Sequence, residues 1–78
     1  MNSITIDVHG MTVDQAKREI ERFITSCEPS IKEVVVIHGF HRGDALRQMI
    51  QSPNGIRSKR IKRKRMTMNR GETIFELF

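Results

Sequence analysis

The sequence predicts an α/β fold, a two-layer sandwich of order β-α-β-α-β-β with a mixed four-stranded sheet and both helices on one face. Three observations carry that expectation. Val34 to Ile37 is a short β-branched run of the kind found in a strand buried on both faces, and Leu46, Met49 and Ile50 follow at helical spacing. Ile4, Ile6 and Val8 alternate with Thr5, Asp7 and His9, the period of a strand with one face in a core. Between these strands Val13, Ala16, Ile20, Phe23, Ile24 and Cys27 make a helical apolar stripe, with Lys17, Arg18, Glu21 and Arg22 off it.

The elements follow in order. The first strand ends at His9-Gly10, and Thr12 to Gln15 has the form of a capping box, which starts the first helix at Thr12. Glu28-Pro29-Ser30 stops that helix, since proline cannot continue the hydrogen-bond ladder. The second strand, through Val34 to Ile37, is joined to the first by a helix, so the two are expected parallel with a right-handed crossover. It also ends in His-Gly, at His38-Gly39. After the second helix Ser52-Pro53-Asn54-Gly55 is a turn, and Ile56 to about Arg63 is a weak strand, suited to a basic edge. Asn69-Arg70-Gly71 turns the chain into a last strand, Glu72 to Phe78, antiparallel to its predecessor.

With 78 residues there is room for one domain, spanning 1–78, and for a modest core. Phe23, in the middle of the first helix's stripe, is expected to be buried against the sheet. Cys27 is the lone cysteine, which excludes an internal disulfide and fits a reducing compartment. The start of the chain lacks a signal-peptide pattern and no apolar run is long enough to span a membrane, so the expected location is cytoplasmic. Oligomeric state is open.

Charge is concentrated in one place. Arg57, Lys59, Arg60, Lys62, Arg63, Lys64 and Arg65 are half of the 14 Lys and Arg, and without them a net +5 would become −2. Such a run points to a polyanion, nucleic acid ahead of a membrane because no apolar stripe interleaves it. The bland alternative is a charged edge strand kept soluble.

Taken together, Ile6-Asp7-Val8-His9-Gly10 with Val13 to Ala16, Val36-Ile37-His38-Gly39 leading to Leu46-Arg47, and Gly71-Glu72-Thr73 before the last strand resemble the Smr (small MutS-related) domain family. The resemblance implies the two-layer fold above, similar to the C-terminal domain of a bacterial initiation factor. It also implies nucleic-acid binding, often with DNA-nicking or RNA-cleaving activity. The family loop usually reads His-Gly-x-Gly. Here His41 stands at the second glycine, and one extra residue precedes Leu46-Arg47.

Asp7, His9 and His38 are the candidate catalytic residues. Two histidines can act as base and acid, one taking the 2′-hydroxyl proton of RNA and the other protonating the leaving oxygen. Alternatively Asp7 with one or both imidazoles could hold a divalent metal ion that activates water, which would admit DNA. In the bland alternative the histidines end strands and bond loop carbonyls, while Asp7 accepts loop N–H groups. For nucleic-acid binding the candidates are Gly39, His41, Arg42 and Gly43 at the start of the second helix, Arg47 on it, and the basic run from Arg57 to Arg65. Phe40 is a candidate for stacking on a base. The expected partner is nucleic acid, RNA ahead of DNA, with a non-catalytic module docking RNA, ribosome or an acidic protein as the alternative.

Overall fold

In the computed structural model, which describes residues 2–39 and 44–78, alternation in the sequence becomes strand β1 (Ser3–Asp7) and the apolar stripe becomes helix α1 (Val13–Ser26). Strand β2 (Glu33–Ile37), helix α2 (Asp44–Gln51), β3 (Ile61–Met66) and β4 (Glu72–Leu77) complete the order β-α-β-α-β-β. The sheet runs β1-β2-β4-β3, with β1 parallel to β2 and the other pairs antiparallel.

Capping sets the start of α1. Thr12 accepts the Gln15 N–H at 3.1 Å, and the Gln15 side chain accepts the Thr12 N–H at 3.1 Å, so two otherwise unpaired donors are satisfied reciprocally. Ala16, Ile20 and Ile24 from α1 and Leu46 and Ile50 from α2 share one core with Val8, Val34, Val36, Phe75 and Leu77. Both helices therefore cover the same sheet face. Phe23 is only half-buried, because the centre of the stripe falls on Ile20 and Ile24 rather than on its flank.

Among the described residues no helix covers the other face of the sheet. In β2 Val34 and Val36 are buried whereas Glu33, Val35 and Ile37 are half-buried, so the strand is sealed on one face and not on both. Open-face neighbours supply the partial cover: Arg65 lies opposite Ile74, and Ile74 opposite Val35.

The third strand begins at Ile61, five residues later than its sequence suggests. Residues 55–60 are drawn onto α1 instead. The Lys17 ammonium donates to the Gly55 carbonyl at 2.8 Å, Glu21 accepts the Arg57 N–H at 2.9 Å, and Ile56 enters the core. Pairing with β4 then starts at Ile61 and skips a residue before Arg63, which leaves Lys62 as the extra residue of a bulge. At the far end of the sheet Lys32 ties the two chain ends together. Its N–H donates to the Asn2 carbonyl at 2.8 Å and its ammonium to the Phe78 carbonyl at 3.1 Å.

Candidate nucleic-acid site at the strand ends

The carboxyl ends of β1 and β2 lie side by side, with Asp7 level with Ile37 and the Val8 N–H bonded to the Ile37 carbonyl at 2.9 Å. Each strand leaves the sheet through a glycine in the left-handed region, Gly10 at φ +84° and Gly39 at φ +79°, where a side chain would be strained. The repeated His-Gly is thus a repeated strand exit. One more step along the ladder sets Val8 level with His38 and His9 beside Gly39, whose added Cβ would lie 3.6 Å from that of His9.

Alternation then divides the two imidazoles. His38 continues the line of Val34 and Val36 into the helix-covered layer and is 1% exposed. Its Nδ1 lies 2.8 Å from the Gly39 carbonyl, which can only accept, so Nδ1 is the protonated nitrogen. Nε2 accepts from the Thr73 hydroxyl at 3.0 Å, and the Thr73 oxygen accepts from the Gln51 amide at 3.0 Å. His9 stands on the other side with Asp7, its side chain 69% exposed. Two imidazoles flanking one phosphodiester is therefore not the arrangement of this site. The signal for His38 was available, since Thr73 is a polar residue in register with Val36 on the apolar face of β4.

Asp7 and His9 form the accessible pair. One carboxylate oxygen, Oδ1, accepts both the His9 N–H at 3.0 Å and the ring Nδ1–H, which turns Nε2 away from the carboxylate. The ring bond from His9, helped by its N–H, holds the Asp7 carboxyl below the usual carboxylate range, so it is ionised at neutral pH. One carboxylate and one imidazole are a sparse donor set for a hard cation, and among the described residues no three His, Cys, Asp or Glu converge as metal ligands. The chemistry that fits is proton transfer at His9 Nε2.

Cationic groups stand near this edge. The Gly71 carbonyl accepts from both the His38 and Gly39 N–H groups, at 2.9 and 3.0 Å, which brings the β3–β4 turn with Arg70 against the end of β2. Arg70 and Arg47 line one shallow depression with Gln51, and Arg47 also reaches Asp44 at 3.2 Å. Phe40, His41, Arg42 and Gly43 lie outside the described residues.

The basic run is split among three tasks. Arg60 lays its guanidinium across the end of α1, donating to the carbonyls of Ile24 at 3.1 Å, Cys27 at 3.0 Å and Ile31 at 3.1 Å. Lys64 faces the helix layer, where it donates to the Ser52 carbonyl and sits 5.6 Å over the Phe75 ring. Burial pushes its ammonium below the usual lysine range. Arg63 and Arg65 lie on the open face and pair with Glu76 at 3.0 and 2.9 Å, and Arg65 also with Glu33 at 2.7 Å. Arg57, Lys59 and Lys62 are exposed, with no acidic side chain within salt-bridge reach among the described residues.

A two-layer β-α-β-α-β-β domain, polar at the carboxyl ends of its parallel strands and basic at its far edge, is the class these features define. The family model of the Smr domain matches residues 6–65, and the chain belongs to the Smr domain family. That membership points to a nucleic-acid-related function. Among curated proteins and solved structures, none matches the chain.

Proposed function

We propose that this domain binds RNA and cleaves it by transesterification, with His9 as the general base. The observation that carries the reading is the Asp7–His9 pair, an ionised carboxylate that fixes the imidazole with Nε2 directed outward at the strand ends. Nε2 takes the proton of a ribose 2′-hydroxyl, and the 2′-oxygen attacks the adjacent phosphorus. The bond to the 5′-oxygen breaks, and that oxygen takes a proton from the surrounding water. Asp7 stabilises the imidazolium that forms. His38 acts as a positioning residue, anchoring Gly39 through its carbonyl.

A labelled single-stranded RNA tests this. His9→Ala is expected to slow cleavage by about 10²-fold or more, and Asp7→Asn to a lesser degree, with binding retained. Cleavage is expected to persist in EDTA and to fail with a single deoxyribose at the scissile position. Loss of activity in EDTA with recovery on adding magnesium, or full activity in His9→Ala, would overturn the mechanism. The second reading is a non-catalytic module that docks RNA, ribosome or an acidic protein. Burial of His38 favours it, because His9 is then the one accessible imidazole among the described residues, and binding without turnover under any condition would select it.

A further inference from the structure

Resting on the nucleic-acid reading above, we infer that the RNA backbone runs along the outer stripe of α1 and the segment docked on it, through Arg18, Arg22, Arg57 and Lys59, and not along the arginines of β3. The observation is where the positive charge remains uncommitted once internal contacts are assigned. Arg63 and Arg65 already face Glu76 and Glu33, Arg60 is spent on the carbonyls closing α1, and Lys64 is directed at Ser52. On α1 the balance is opposite. Arg18 and Arg22 are exposed one turn apart, a rise of about 6 Å, and Arg57 lines the same depression. A second depression adjoins it at Arg57 and contains Lys59.

The acidic residue in this stripe, Glu21, does not cancel it. Its carboxylate accepts from the Lys17 ammonium and from the Arg57 N–H at 2.9 Å, so it is neutralised from within while docking the Arg57 segment onto the helix. Burial alone would raise the Glu21 carboxyl, but these two donors outweigh it and hold the group below its usual range. Glu19 approaches Arg22 only at 3.7 Å, with the arginine side chain 73% exposed. The stripe therefore offers four cations to solvent. Among the described residues no aromatic side chain lines either depression, and the cations there suit a chain of phosphodiesters rather than the bases.

Fluorescence anisotropy of a labelled single-stranded RNA across a salt series decides the point. Three to four phosphate contacts predict a slope of log K against log salt of about −2 to −3. Arg18→Gln/Arg22→Gln/Arg57→Gln is expected to flatten that slope by about 2 and weaken binding at least tenfold. Glutamine is as good a helix former as arginine, so thermal melting should be unchanged. Should the triple variant melt early, Arg22→Gln alone is expected to flatten the slope by about 0.7. Lys62→Gln/Arg63→Gln is expected to leave the slope within about 0.7 of wild type. The reverse pattern, a steep slope in the α1 variants and a flat one in the β3 variant, would overturn the track. Wild-type protein that binds no RNA would instead remove the nucleic-acid reading beneath it.

Discussion

Asp7 shows how two residues at spacing i, i+2 at a strand end become a hydrogen-bonded pair. Alternation places Asp7 and His9 on one face, and the turn at Gly10 lets both the N–H and the ring of His9 reach the same oxygen. The folded Asp7 carboxyl titrates below its ordinary value of 3.8, so the stability contributed by the pair is complete above that value and is lost as pH falls through the lower one. An NMR titration of the Asp7 side chain is expected to show its midpoint rising toward 3.8 in His9→Ala. An unmoved midpoint would break the link between the two groups. In the core, Ile20 is fully buried while Phe23 is half-buried. Ile20→Ala should cost about 2–5 kcal/mol, comparable to what so small a core supplies, and Phe23→Ala should cost less. Urea denaturation of both variants checks the order.

Helix α1 has no basic residue in its last turn, so something else must satisfy its terminal carbonyls. Arg60 does this from 33 residues away, reaching Cys27 with the same guanidinium that reaches Ile24 and Ile31. Arg60→Ala is expected to destabilise the domain by about 2–3 kcal/mol, since hydrogen bonds from a charged donor are the stronger kind. Arg60→Lys should recover little, because one ammonium cannot address carbonyls spread along a helix end. A melting temperature in Arg60→Lys equal to wild type would refute the clamp. The same segment explains what was hard to read in the sequence. β1, α1, β2 and β4 each carry their own periodicity, and the Thr12 capping box is local. The start of β3 is not local: Ile56 opens a stretch that resembles a strand, and only Lys17 and Glu21, some 36 to 38 positions earlier, decide that it docks on a helix. His38 was legible as an inward residue from the spacing of Val34 and Val36, but its partners Thr73 and Gln51 come from β4 and α2.

Across the protein, a net charge of +5 is less informative than its allocation. The open sheet face binds its arginines to Glu33 and Glu76, whereas α1 leaves Arg18 and Arg22 in solvent. Glu76→Gln should release Arg63, while Arg65 keeps Glu33, and so free one cationic group on this face. RNA affinity at low salt is then expected to rise, with the salt slope steepening by roughly 0.7 for each phosphate gained. The fold should tolerate the change, as exposed ion pairs contribute only about 0–1 kcal/mol. An affinity that stays constant in anisotropy titrations would mean the released Arg63 finds no phosphate.

The double hold of Lys32 on Asn2 and Phe78 has a use in protein engineering. Asn2 and Phe78 meet at the end of the sheet opposite His9 and Gly39, so a short flexible peptide could join them without unpairing a strand. New ends could be opened at the exposed Asn54 in the turn after α2. Such a circular permutant would keep β1 beside β2 and leave the Asp7–His9 edge facing outward. By the same geometry the domain could be spliced into a surface loop of a carrier protein, with both junctions at one end of the sheet and the Asp7–His9 pair at the other.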